Sequence, residues 1–339
     1  MKILLISPTQ SGIGGIAQHV QGLTKFLKTK EYCVEIISSE NTFTIPIKGL
    51  KNLSFMISSF LKTKFNKDYD IVHAHNISSA LAMKNIKGKK ILSIHGVFSN
   101  QINDLHGKTL ANISRKYEKN ALKWADAITV ISKEAFDYYT NLGYNVFQVP
   151  NAIDISSLET NVDKRYSKQV IFAGRLSHEK GIDSLISISQ KLTDDIHLII
   201  LGAGPEEEKI KDLVKNHKNI HFFGYQNKNQ TISLIRGSDI LIQPSLYEGI
   251  SSTILESMAC KTAIIASDVG GNSELIKNNL NGITIKPNNI DSFVEQIINL
   301  FDNKKLHQLL VDNALKTVEK YNWNEVGHLY LDVYQSVLD

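Results

Sequence analysis

Two cations and two carboxylates in the second half of the chain have the types and spacing to do chemistry. Arg175 and Lys180 stand five residues apart in Phe172-Ala173-Gly174-Arg175-Leu176-Ser177-His178-Glu179-Lys180-Gly181, around a short loop that leaves an apolar run at a glycine. A guanidinium forks onto phosphate oxygens and an ammonium supplies a mobile point charge, so the pair suits a diphosphate; two solvated surface cations are the plain alternative. Glu248 and Glu256 lie eight residues apart in the segment Gln243 to Cys260. Ser251 or Ser252 is placed to cap a helix carrying Glu256. The backbone amides at such a helix start face a phosphate or sugar hydroxyls, and Glu256 reaches a ribose diol or simply complements the helix dipole. Paired carboxylates also raise glycoside hydrolysis, which needs them about 5 Å or about 6.5–9.5 Å apart. Eight helical residues rise roughly 12 Å, which leans against it.

The first half offers a glycine loop and histidines. Ser11-Gly12-Ile13-Gly14-Gly15-Ile16-Ala17-Gln18-His19 follows the first apolar run, and glycines between a strand and a helix let amides approach an anion. Gly12, Gly14 and Ala17 also fit a dinucleotide fingerprint, but the loop starts too far from the strand, and only Glu40 could serve as its acidic partner. A second loop, Leu201-Gly202-Ala203-Gly204-Pro205, again follows a strand. Asp68-Tyr69-Asp70 matches the spacing of a metal-binding D-x-D and is read as a turn before a strand. The His73-x-His75 pair is expected to turn its rings to opposite faces of that strand, against joint metal ligation, with His73 packed and His75 lining the cleft.

The elements that must position these residues form two series. Ile3–Ser7, Val34–Ser38, Ile71–Ala74, Ile91–Ile94, Ala127–Ile131 and Phe147–Val149 are short runs rich in Ile and Val, separated by helix-like stretches. Gln169–Ala173, His197–Leu201, Ile220–Phe223, Ile240–Gln243 and Ala263–Ala266 repeat the pattern. Runs apolar throughout, rather than alternating, suit strands buried on both faces of a parallel sheet. Alternation with helices makes each series a doubly wound α/β domain, and ligands favour the cleft between domains. Pro150-Asn151-Ala152-Ile153-Asp154 and the polar stretch Glu159–Lys168 mark the boundary, and Leu329, Val333, Val337 and Leu338 give a last helix its apolar side.

The 339 residues are 42% apolar and 21% charged, enough for two ordinary domains and unlike a disordered chain. Two cysteines exclude a disulfide scaffold; Cys33 and Cys260 both read as small core residues of a reducing compartment. No run spans a bilayer, and the start reads as a strand rather than a signal segment, so a cytoplasmic protein is expected. The net charge of +4 divides into +7 over residues 1–160 and −3 over 161–339. Within the basic half, Leu53, Met56, Ile57, Phe60 and Leu61 recur at helical spacing beside Lys51, Lys62, Lys64 and Lys67. Such a segment fits either an anionic membrane surface or a core-facing helix with a solvated edge.

Gly14-Gly15-x-x-x-His19, Pro150-Asn151-Ala152-Ile153-Asp154, Gly174-Arg175-Leu176-x-x-Glu179-Lys180-Gly181, the pair Glu248 and Glu256, and Gly270-Gly271-x-x-Glu274 occur in the order of the GT-B glycosyltransferases of family 4, which the chain resembles over nearly its whole length. The resemblance implies two Rossmann-like domains facing across a cleft. An acceptor-side domain would take residues 1–155 with a returning helix over 325–339, and a nucleotide-sugar domain 156–324. It implies retaining transfer of a hexose-type sugar from a UDP- or GDP-sugar to a glycan or lipid-linked acceptor, in cell-surface polysaccharide or glycolipid synthesis; the basic amphipathic segment would place such a cytoplasmic enzyme at the inner face of a membrane. No cofactor and no metal are expected, and no nucleic acid. By the same resemblance Arg175 and Lys180, with Gly174, hold the donor diphosphate, and Glu256 the ribose. Glu248 and the amides near Gly249, Ile250, Ser251 and Ser252 hold the sugar. Gly14 and Gly15 let their loop approach, His95 lies beside the reacting sugar, and His19 lies toward the acceptor. The family's E-x-F-G is Glu248-Gly249-Ile250-Ser251 here, and its Ala-Cys-Gly-x-Pro is Ala259-Cys260-Lys261-Thr262-Ala263, which leaves the donor sugar open. A nucleotide-sugar epimerase and a nucleotide-sugar-binding protein without turnover are the alternatives.

Overall fold

Strand-forming runs of Ile, Leu and Val build two six-stranded, wholly parallel sheets, each the centre of its own unit. The computed structural model describes residues 1–10, 15–45, 47, 50–64, 68–95 and 116–339. One unit comprises Met1–Ala152 with Trp323–Asp339, the other Ile153–Asn322.

In the first unit the strands are β1 (Lys2–Ser7), β2 (Cys33–Ser38), β3 (Ile71–His75), β4 (Lys89–Ile94), β5 (Ala127–Val130) and β6 (Val146–Gln148), in the order β2-β1-β3-β4-β5-β6. The chain leaves β1 toward one edge and crosses back to β3, so the order reverses between β1 and β3. Both faces are buried. Ile3, Leu5, Ile71 and Ile91 pack on helix α1 (Gly15–Thr29) and on the C-terminal helix Trp323–Leu338, while Leu4, Ile6, Val72 and Leu92 pack on the opposite side with Phe55 of helix α2 (Leu50–Thr63). The C-terminal helix supplies Val326, Tyr330, Val333, Tyr334 and Val337 to that core. It lies so close to α1 that a Cβ on Gly22 would run into the Trp323 indole and one on Gly327 into the Phe26 ring.

Three expectations fail here. His73 and His75 share a face, because residues two apart on a strand point the same way; their rings lie 4.3 Å apart. His75 is fully buried rather than lining an open surface. Cys33 opens β2 at the edge of the sheet and is exposed, whereas Cys260 is buried.

In the second unit β7 (Lys168–Ala173), β8 (Ile196–Leu201), β9 (Ile220–Gly224), β10 (Ile240–Gln243), β11 (Ala263–Ser267) and β12 (Ile283–Ile285) take the order β9-β8-β7-β10-β11-β12, the nucleotide-binding arrangement with its reversal between β7 and β10. β12 has only three residues and sits at the edge beside β11; its length carries too little pattern to be read from sequence. Helices α3 (Lys228–Arg236), α4 (Ser252–Ala259) and α5 (Gly270–Leu275) follow β9, β10 and β11.

Candidate active site

Open parallel sheets bind ligands outside the carboxyl ends of the strands where their order reverses. In the second unit that point collects the two cations and both carboxylates. The loop after β7 carries Gly174 and Arg175, then a short 3-10 turn from His178 to Lys180 that stops at Gly181. Gly181 has φ +68°, and a Cβ there would strike the Pro244 carbonyl, so only glycine fits. Leu246 and Tyr247 donate their N–H groups to the Glu179 carbonyl at 2.9 and 3.3 Å. The loops leaving β7 and β10 are thus stitched together, which brings Lys180 to Glu248.

Lys180 Nζ lies 2.5 Å from Glu248 Oε1, with Glu248 only 8% exposed. The same oxygen accepts from Gln243 Nε2 and, at 3.0 Å, from Ser245 Oγ. Gln243 also donates to Ser251 Oγ at 3.0 Å. Ser251 caps α4, accepting from the Ile254 amide, and Ser252 is the first helical residue. Gly271 N–H donates to the Glu248 carbonyl at 3.1 Å, and a Cβ on Gly271 would meet the Gly249 carbonyl, so α5 starts against this loop. Ile250 is buried and Gly249 half-buried beside it. Glu256, on the second turn of α4, pairs with Lys228 at the start of α3. Arg175 is 63% exposed, with Glu179 4.0 Å away. The second glycine loop serves this architecture: a Cβ on Gly202 would strike the Gly174 carbonyl, and one on Gly204 that of Leu176.

Gln243, Ser245 and Lys228 escaped the sequence reading. Lys228 meets its partner across 28 residues of chain, and a single lysine at a helix start has no pattern of its own. Gln243, at a strand end two residues before Ser245 and five before Glu248, left a weak signal in its polarity on an otherwise apolar strand.

The first unit gathers imidazoles at its own reversal point. Gly15 is the first residue of α1; Gly14 lies outside the described residues. His19, on α1, is 3% exposed and its Nε2 is 2.8 Å from Tyr330 Oη. His95 follows β4 directly. Its ring centre is 4.9 Å from that of His19, and its Nε2 is 3.4 Å from His75 Nδ1. His73 is held by Tyr334 Oη at 2.8 Å and by Ser93 Oγ at 2.6 Å. Burial keeps all four rings neutral, pushing His95 down to about 4, His73 to about 3, and His19 and His75 well below the usual histidine range. The two aromatic hydroxyls come from the C-terminal helix and are invisible to local sequence.

Asp70, from the D-x-D triplet, accepts the Lys2 N–H at 2.7 Å and the Tyr69 hydroxyl donates to Glu35 at 2.7 Å, so this segment pins the start of β1 and β3.

Two such units, with phosphate-suited cations and clamped carboxylates at one reversal point, define a glycosyltransferase of the GT-B fold, and the comparisons agree. Residues 159–317 match the Glycosyl transferases group 1 family and residues 13–157 match Glycosyltransferase Family 4; the chain belongs to these glycosyltransferases. It is 26% identical to an uncharacterized glycosyltransferase of Methanocaldococcus jannaschii, covering 100% of this chain and 99% of that one. It is 23% identical to the phosphatidyl-myo-inositol mannosyltransferase of Mycolicibacterium smegmatis, over 99% and 94%. It is 25% identical to the UDP-Gal:alpha-D-GlcNAc-diphosphoundecaprenol alpha-1,3-galactosyltransferase of Escherichia coli, over 85% and 81%. Among solved structures, sucrose-phosphate synthase from Thermosynechococcus elongatus superposes with a TM-score of 0.82 at 17% identity, over 99% and 98% of the two chains. Anabaena Alr3699/HepE, solved with UDP-glucose, superposes at 0.76 and 15%, over 99% and 100%.

Proposed function

We propose that this glycosyltransferase moves a hexose-type sugar, with retention at the anomeric carbon, from a UDP- or GDP-sugar to a glycan or lipid-linked acceptor in cell-surface polysaccharide or glycolipid synthesis. The observation that carries the reading is the convergence of Arg175, Lys180, Glu248 and Glu256 where β7 and β10 diverge. The relatives named above include one acting with UDP-Gal on a diphosphoundecaprenol-linked sugar and one acting on phosphatidyl-myo-inositol, and a neighbour binds UDP-glucose.

In this proposal Arg175 and Lys180 stabilise the charge that gathers on the diphosphate as the glycosidic bond breaks, and no metal takes that part. The departing diphosphate accepts the proton of the attacking hydroxyl on the same face, which keeps the anomeric configuration. Glu248 orients the donor sugar, Glu256 binds the ribose diol after exchanging its contact with Lys228, and His95 contacts the reacting sugar as a neutral imidazole. A thermal-shift panel of UDP, GDP, ADP, NAD and their sugar conjugates in EDTA tests the donor. A ligand at about 100 times its Kd adds roughly 2.7 kcal/mol, so stabilisation by UDP or GDP compounds is expected, and stabilisation by NAD alone overturns the reading. NMR of the product anomer tests retention.

Helix α2 supports a peripheral membrane site. Leu50, Leu53, Ile57 and Leu61 are exposed at helical spacing, with Phe43 and Ile47 exposed just before them, whereas the buried side of α2 carries Phe55, Ser59 and Thr63. The apolar stripe therefore does not face the core. Lys51, Lys62 and Lys64 flank it, a combination that suits anionic lipid. Lys67 lies outside the described residues. No described helix is long and apolar enough to cross a membrane.

A further inference from the structure

His19, His75 and His95 each place one ring nitrogen within 4.8 Å of the others. We propose that these three imidazoles bind one divalent transition-metal ion of the zinc class, which inhibits transfer by engaging His95. All three residues belong to the first unit. Only the inhibitory consequence rests on the proposed contact of His95 with sugar.

One buried nitrogen asks for a partner. His19 Nδ1 has no hydrogen bond, although the ring is buried. Leaving a buried polar nitrogen unpaired is costly, and a metal ion satisfies a lone pair that no donor reaches. His19 is also oriented as a ligand would be. Its Nε2 is engaged by Tyr330 Oη at 2.8 Å, and in the tautomer whose Nε2–H donates to that oxygen Nδ1 carries the lone pair. A metal-bound histidine characteristically has its second nitrogen held in this way, fixing the tautomer.

The spacing also fits. Tetrahedral zinc with Zn–N bonds of about 2.05 Å sets its ligand nitrogens about 3.3 Å apart. His75 Nδ1 and His95 Nε2 are 3.4 Å apart. The wider separations within the trio contract on ligation, and three neutral imidazoles are the ligand set zinc-class ions accept. The ligands come from α1, the end of β3 and the residue after β4, so an ion would tie the first turns of α1 to the sheet.

The test is titration of the tag-free, EDTA-stripped full chain with Zn²⁺ against a chromophoric chelator, and with Co²⁺ read by its visible spectrum. One equivalent per chain and a four-coordinate Co²⁺ spectrum are expected. His75→Gln should weaken binding by more than about tenfold, since loss of even an outer partner costs that much. His95→Asn should do the same, while His197→Gln in the second unit leaves binding unchanged. Circular dichroism checks that each variant is folded; if His75→Gln unfolds, His95→Asn alone decides. Absence of stoichiometric binding to the folded wild-type chain overturns the proposal, as does undiminished binding in the folded variants. These readouts need no sugar donor, so a failed transfer assay leaves them intact. A working transfer assay unaffected by saturating Zn²⁺ refutes the inhibitory half.

Discussion

At the residue scale, Lys180 and Arg175 differ in how the protein holds them. Lys180 is fixed against a buried carboxylate that Gln243 and Ser245 also hold, so it is preorganised; Arg175 is exposed and free to swing onto a ligand. Lys180→Ala should cut kcat by about a hundredfold or more, the loss typical of one preorganised charge-stabilising group. Arg175→Ala should reduce turnover comparably while shifting stability by less than about 0.5 kcal/mol, because its side chain is mostly in solvent. Steady-state rates beside thermal denaturation check both, and wild-type turnover in either variant counts against its phosphate role. Gln243→Ala should lower kcat without abolishing donor binding, since it removes one anchor of Glu248 and the tie to the α4 cap.

At the element scale, α2 and the C-terminal helix present opposite cases. Among the described residues the stripe on α2 is exposed, so Leu53→Ser/Ile57→Ser/Leu61→Ser should leave thermal stability nearly unchanged and abolish sedimentation with anionic vesicles at low salt. Equal binding by the triple variant would remove the membrane reading of this helix. The C-terminal helix is instead committed to the core through two glycine notches. Gly22→Val should destabilise the fold by about 1–3 kcal/mol, because the new methyl groups collide with Trp323. The expected melting shift would be absent if the helix were loosely attached.

At the scale of the whole molecule, the first unit hides four neutral histidines beneath its sheet ends. Each is easier to protonate unfolded than folded, so their contribution is complete above the ordinary histidine pKa of about 6.5 and is lost as pH falls below it. The loss continues through about 4 for His95 and about 3 for His73. Melting temperature should therefore fall steadily from pH 7 to pH 5 and less steeply in His73→Asn. A pH-independent melting temperature over that range would contradict the neutral, buried state of these rings.

The sequence by itself determined the two α/β series and eleven of the twelve strands among the described residues, because strands buried on both faces must be apolar throughout, and that signal is local. It also singled out Arg175, Lys180, Glu248 and Glu256, which stand in short motifs, and narrowed the cap of α4 to Ser251 or Ser252, between which the structure chose Ser251. Tertiary structure alone decided their partners. Lys228 reaches Glu256 and Tyr330 reaches His19 across 28 and 311 residues, distances over which sequence carries no periodic signal. It also decided which side of an amphipathic helix is buried. The spacing of Leu53, Ile57 and Leu61 is the same whether they face a core or solvent, and only the burial of the side carrying Phe55, Ser59 and Thr63 turned that stripe outward. The pair His73 and His75 ends on one face because strand geometry repeats every two residues, and what that face holds was fixed by a helix arriving from the other end of the chain.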